Sequence, residues 1–244
     1  MASIVLYTRN ILESATVTVP GQDDGFPAAR LRDRAISLYW SWSANGDLHI
    51  TVDQGSDPAP VDFLAAGRHN FSGRQISWQY SSDGFASDIH DAVSPWTQPD
   101  GKLVVKHLAA PVTSRWWRLV VAAAESPRCG EVFMAAGRGF DVKTMPAPVA
   151  GDKDNVAWTP TVGGLERACK LGDPRRMREY GLRLSPAEQA EFAAAMAELD
   201  GYSKPFFILD HKGECFLCRL QDVPESVEDH KTHARINLAV IEML

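Results

Sequence analysis

Two thiols three residues apart are the first place to look for chemistry in this chain of 244 residues. Cys215-Phe216-Leu217-Cys218 has the CxxC spacing of zinc and redox sites. The pair lies inside an apolar run of strand length, and residues three apart on a strand point to opposite faces, so the two sulfurs are poorly placed to share a metal or close a bridge. Both are expected to be buried structural cysteines. His230 and His233 follow a loop rich in acids and can join only one of these sulfurs, so no metal site is assigned, and no cofactor either. Nucleophile and phosphate patterns are missing: there is no Gly-flanked Ser elbow, no HExxH, no GxGxxG and no GxxxxGK. Gly137-Arg138-Gly139-Phe140 is too short to cradle a phosphate, and Ser81-Ser82-Asp83-Gly84 reads as a turn. Acids are abundant, but nothing singles out a pair for general acid–base work. No catalytic residue is assigned, and a non-enzymatic protein is expected.

Binding offers better candidates. Arg68, His69 and Asn70 end an apolar run, where they can either hold a ligand or satisfy backbone groups at a strand end. Trp96 sits between prolines in Ser94-Pro95-Trp96-Thr97-Gln98-Pro99 and reads as a loop residue. Its ring either pins that loop to the core or offers a flat surface to a sugar. These four residues form the candidate ligand-binding set.

The elements that must position them are mostly short strands. Val17 to Val19, Leu38 to Trp42, Leu48 to Val52, Gln75 to Tyr80, Lys102 to Leu108 and Trp116 to Ala122 are each strand-length and separated by Gly, Pro, Asn and Asp punctuation. Asn45-Gly46 between alternating flanks predicts a hairpin turn. This pattern predicts an all-β sandwich over residues 1–140. Residues 141–154 carry two closely spaced prolines and no apolar period, and read as a linker. Residues 155–244 contain the one strong helix, Pro186 to Leu199, introduced by Ser185 and Glu188 as a capping box and stopped by Asp200-Gly201. Phe192, Met196 and Leu199 give it one apolar face, which must pack on a sheet drawn from Tyr180 to Leu184, Pro205 to Leu209, Cys215 to Leu220 and Ala234 to Met243. The expected fold is therefore mainly β, with an N-terminal sandwich and a smaller C-terminal α+β domain.

Composition narrows the partners. The chain has 25 basic against 31 acidic residues, a net charge of −6, which argues against wholesale phosphate neutralisation and hence against nucleic acid. No stretch approaches the roughly 18 to 20 apolar residues of a membrane span, so no membrane insertion is expected. The N-terminal run MASIVLYTRN lacks the basic start, long apolar centre and cleavage site of a secretory signal, and cytoplasmic maturation is expected.

The first region resembles the galactose-binding-like, discoidin-type jelly roll found in bacteriophage and prophage tail proteins. Phe26 to Asp33, Gly46 to Gly55, Gly67 to Gly73, Ile76 to Gly84, Arg115 to Val121 and Gly130 to Gly137 carry the resemblance through their order and spacing. In sugar-binding relatives the ligand sits on loops at one end of the roll. A structural calcium can lie nearby, and Asp33 and Glu131 occupy roughly matching places. The second region, through Gly163 to Phe192, Pro205 to Asp210 and the final strand, is similar to the assembly domain of phage tail-tube and distal-tail proteins, which join sheets into rings. The extended segment from Val156 to Leu171 and the long final strand leave backbone that a neighbouring chain can cover. The resemblances imply a structural component of a phage or prophage tail tip or baseplate. It would form a homo-oligomer, contact other tail proteins, and pass from the bacterial host cytoplasm to the virion tail. The alternative is a carbohydrate-binding protein that recognises a cell-surface glycan through the jelly roll.

Overall fold

The computed structural model describes residues 3–35, 37–101, 103–142, 149–153, 156–160, 166–170, 174–228 and 233–243. The protein is mainly β, a jelly-roll sandwich with a smaller helix-bearing domain, and divides into two compact units, Arg9–Gly137 and Met1–Thr8 with Arg138–Leu244. These limits differ from the sequence expectation of 1–140, 141–154 and 155–244. The strand Ser3–Tyr7 pairs with Arg138–Asp141 on one side and Phe206–Leu209 on the other, so the first residues belong to the C-terminal unit. Val149–Lys153 is a strand paired with Arg175–Leu184, not a tether; residues 143–148 and 154 of the expected linker lie outside the described residues. Pairing across more than 130 residues leaves no local signature, because each strand carries only its own alternation.

The sandwich unit has a five-stranded sheet in the order Thr16–Thr18, Gly46–Asp53, Trp116–Ala124, Gln75–Ser81, His90–Thr97, and a three-stranded sheet in the order Glu131–Ala135, Pro60–Gly67, Val104–Thr113. Alternation does the work expected of it: Leu48, Ile50 and Val52 on one strand, Trp117, Leu119 and Val121 on the next, and Ile76 and Trp78 on a third are all buried in one core. Two strands escape the sequence pattern. Pro60–Gly67 is apolar almost throughout because both its faces are covered, and His90–Thr97 is polar and contains Pro95 because it is a sheet edge paired only with Gln75–Ser81. The expected hairpin at Asn45-Gly46 does not form. Trp40–Ser41 pairs instead with Arg128–Cys129, and the Asn45 Oδ1 accepts from the Ser126 amide at 3.0 Å.

In the other unit the sheet runs Arg138–Asp141, Ser3–Tyr7, Phe206–Leu209, Cys215–Leu220, Ala234–Glu242, Arg175–Leu184, Val149–Lys153, with Glu225–Glu228 also on Ala234–Glu242. A bridge between Val142 and Leu182 brings the first of these strands back to the sixth. The helix Pro186–Ala197 starts as expected, with the Ser185 hydroxyl accepting from the Glu188 amide and the Glu188 carboxylate accepting from the Ser185 amide. Phe192, Met196 and Leu199 are buried against the sheet, Phe192 edge-on to Phe140 at 5.6 Å. At its far end Glu198 forms a two-toothed ion pair with Arg138 at 2.8 and 2.9 Å. No described helix is long and apolar enough to cross a membrane.

Candidate functional site

Three of the four sequence candidates meet in one place. Arg68, His69 and Asn70 follow the strand Pro60–Gly67 and line a pocket of about 310 Å³ together with Tyr39, Gly101 and Arg128, near the lower end of the volumes in which small molecules are held. Arg68 adopts a left-handed backbone (φ 51°), unusual for a side chain of its size and a frequent mark of functional geometry.

Asn70 fixes this loop. Its Nδ2 donates to the carbonyls of Glu125 and Ser126 at 3.3 and 3.0 Å, and its Oδ1 accepts from the Arg128 amide at 2.8 Å. The Asn70 amide also donates to the Arg128 carbonyl at 3.3 Å, so the Arg68–Asn70 loop and the strand Arg128–Cys129 are locked together. His69 is buried, stacks on Phe71 at 4.8 Å, and accepts at Nδ1 from the Phe71 amide, which leaves Nε2 as the protonated ring nitrogen. Of the other lining residues, Tyr39 stacks on Phe26 at 5.0 Å and lies under the Arg128 guanidinium at 5.9 Å, while the Arg30 guanidinium lies over Phe26. Cations and rings thus alternate from Arg30 through Phe26 and Tyr39 to Arg128.

Two glycines permit the close approach. A Cβ on Gly101 would stand 2.8 Å from the His69 carbonyl oxygen, and one on Gly130 would stand 3.0 Å from both the Arg68 Cβ and the Leu38 carbonyl. Leu38 and Leu103 remain exposed close by, the latter packed beside Gly67. Sequence reasoning missed Tyr39, Gly101 and Arg128, which reach the pocket only through tertiary pairing. The single local hint was the close succession of Arg128, Cys129 and Gly130.

Trp96 is placed elsewhere. It lies on the edge strand His90–Thr97 opposite Ile76 rather than in a loop, because Pro95 is tolerated where no further strand needs its N–H. Its ring packs partly into the core, its Nε1 donates to Gln98 at 3.1 Å, and the Lys106 ammonium sits 4.2 Å over its face.

Of the four free cysteines Cys169 is exposed, and the other three are shielded to different degrees. Burial pushes the Cys129 and Cys215 thiols up to about 12, and Cys218 is also raised by burial, so none is a ready nucleophile. Cys218 lies in the core and Cys215 is half-buried, with Cys218 Sγ directed to the Phe206 carbonyl. His230 lies outside the described residues, and among those described no group of three or more potential ligands gathers. Glu131 is buried, and its two oxygens accept from Asn10 Nδ2 and the Arg34 amide at 2.9 Å each. Asp33 turns its Oδ1 to the Ala35 amide. With these carboxylates engaged and a guanidinium from Arg34 close by, the residues do not fit a calcium ion, which needs six or more oxygens.

No family model matches the chain, and no curated protein is similar to it in sequence. Among solved structures, it is similar to CpGH89CBM32-6 of Clostridium perfringens, with 17% identity over 53% of this chain and 100% of that one, at a TM-score of 0.45. Chitosan-binding module 1 from a chitosanase/glucanase of Paenibacillus sp. shows 19% identity over 52% of this chain and 99% of its own, also at 0.45. The family 32 carbohydrate-binding module of NanJ from C. perfringens, solved with galactose, shows 12% identity over 55% and 99%, at 0.44.

Proposed function

We propose that the sandwich unit is a non-catalytic carbohydrate-binding module whose site is the pocket of Arg68, His69, Asn70, Tyr39 and Arg128. The observation that carries this reading is the convergence of a strained, hydrogen-bond-locked Arg-His-Asn loop and a Tyr–Arg stack on one small pocket. Saccharide sites need polar donors to fix hydroxyls and a ring or apolar rim to meet the C–H face of the sugar, and both are present. Among the described residues no carboxylate side chain lines the pocket, so the pair of acids that hydrolyses glycosidic bonds has no members among them there. A glycan array probed with the whole chain tests the reading. Binding that is lost in Arg128→Ala and kept in Trp96→Ala, with both variants folded by circular dichroism, supports it; no binding to any glycan overturns it.

A second reading concerns the other unit. Val156–Pro160 and Glu166–Lys170 form a two-stranded sheet that joins no other strand among the described residues. An isolated hairpin is at best marginally stable in water. We propose that this hairpin completes its packing on a second copy of the chain, making the unit an assembly domain of a homo-oligomer, as in a phage tail tip. Light scattering after size exclusion tests this. An oligomer that is lost when residues 156–170 are replaced by a Gly-Ser linker supports it. A strict monomer at high concentration that captures no tail protein overturns it.

A further inference from the structure

We propose that the helix-bearing unit holds a second binding site, independent of the saccharide reading, in which Tyr180, Asp210 and His211 hold a small primary ammonium group. The sheet of this unit closes on itself through the Val142–Leu182 bridge, and the mouth of a closed sheet is a recurrent place for ligands. The helix Pro186–Ala197 follows one end of the strand Arg175–Leu184. Toward the other end Arg176, Arg178 and Tyr180 share the face that carries the buried Leu182 and Leu184. Opposite charges there pair off. Glu214 lies 3.6 Å from Arg176 and 3.4 Å from Arg178, and Glu242 lies 3.4 Å from Arg176. Arg178 also donates to the Gly151 and Met177 carbonyls at 3.3 and 3.0 Å.

Asp210 is left over. It is 3% exposed, and its Oδ1 accepts from the Lys212 and Glu214 amides at 2.7 and 2.9 Å, which ties the turn. Its Oδ2 is buried, with no hydrogen-bond partner and no cationic side chain within ion-pair distance among the described residues. The Tyr180 hydroxyl and the His211 Nδ1 are in the same condition. These three groups are neighbours. Asp210 and His211 are consecutive, Tyr180 meets the His211 ring edge-on at 6.2 Å, and burial, followed by the Asp210 charge, pushes the Tyr180 phenol up. Arg178 Nε is also unpartnered, but the charge of that guanidinium is answered by Glu214. Buried acceptors left without a donor are costly, and each calls for one. A carboxylate oxygen, a phenol oxygen and, in the Nε2–H tautomer, an imidazole nitrogen make three acceptors; an ammonium brings three N–H donors and the positive charge that Asp210 lacks. A coordinated metal fits less well, because no three His, Cys, Asp or Glu side chains gather as ligands among the described residues.

The test is a titration of the whole chain with methylammonium chloride, followed by amide chemical shifts, beside tetramethylammonium chloride and sodium chloride at matched ionic strength up to about 100 mM. Tetramethylammonium keeps the charge and has no N–H to donate. The expected result is saturable shifts at Tyr180, Asp210 and His211 with methylammonium alone. Tyr180→Phe removes one acceptor and should weaken that binding by about fivefold, and Asp210→Asn, which keeps the Oδ1 acceptor and removes the charge, should abolish it. No saturable shift with methylammonium, as when a buried water alone meets these groups, overturns the inference. An equal response to tetramethylammonium or sodium overturns it too, and so does binding that both folded variants retain in full. If a variant fails to fold, the other variant and the comparison of the three salts on the parent chain decide.

Discussion

Gly130 shows how much of the site rests on a missing methyl group. A Cβ there would stand 3.0 Å from both the Arg68 Cβ and the Leu38 carbonyl, so Gly130→Ala requires Arg68 or Leu38 to give way by a few tenths of an ångström. We expect Gly130→Ala to cost about 1 to 3 kcal/mol of stability by overpacking and to weaken saccharide binding. Gly139→Ala, with nothing within 4 Å of the new carbon and an ordinary φ, should leave both unchanged; denaturation and titration of the two variants check this. Glu131 supplies a second test at this scale. Burial holds its carboxyl well above the ordinary value of 4.5, with Asp33 adding to the shift and the Arg34 amide, Asn10 and the Arg34 charge opposing it. The folded unit therefore keeps a proton that the unfolded chain releases, so stability is greatest near and below pH 4.5 on this account and falls as pH rises through the folded value. Glu131→Gln should flatten that decline in denaturation curves measured between pH 5 and 8. Of the site itself, Arg68, His69 and Asn70 were legible because three polar residues close an apolar run. Tyr39 and Arg128 were not, because a residue's neighbours in sequence carry no record of a strand that pairs some 60 positions away.

Among the elements, the helix Pro186–Ala197 is the one whose start was written most plainly. Ser185, Pro186 and Glu188 each satisfy or remove a free amide at its first turn, and the structure shows all three doing so. Ser185→Ala should destabilise the helix-bearing unit by about 1 kcal/mol, measured by urea denaturation near neutral pH. The side-chain and then the backbone hydrogen bond from Ser185 hold the Glu188 carboxyl below its usual value, so the carboxylate's share of this contribution is present above about pH 4.5 and fades as pH falls toward the folded value. The gap between Ser185→Ala and the parent should therefore narrow in acid without closing, because the Ser185 hydroxyl still accepts from the Glu188 amide. Strands were legible where one face is wet, as in Gly46–Asp53 and Trp116–Ala124, because alternation records the water. His90–Thr97 was not, since an edge strand with Pro95 and few apolar residues has the composition of a loop. That is why Trp96 was expected in a loop.

For the whole molecule the informative feature is that one unit is built from both ends of the chain. Ser3–Tyr7 is an interior strand of the sheet that also holds Phe206–Leu209 and Arg138–Asp141, while Arg9–Gly137 is continuous and carries its own core. Residues 9–137 expressed alone should fold cooperatively and retain saccharide binding. Residues 138–244 alone should lack a fixed near-ultraviolet spectrum, because removal of Ser3–Tyr7 leaves a gap between two strands and uncovers Phe140 and Ile208. Composition and alternation disclosed two β-rich modules, yet the order of pairing was hidden, because alternation says which face is buried and not which strand lies alongside. Whether the Arg68–Asn70 loop and Arg128 hold a saccharide is read out by mapping amide chemical shifts during titration with the strongest array hit. Saturable shifts are expected to cluster at Arg68, His69, Asn70, Gly101 and Arg128; shifts centred on Trp96 and Lys106, or confined to the helix-bearing unit, place the saccharide elsewhere and rule this site out.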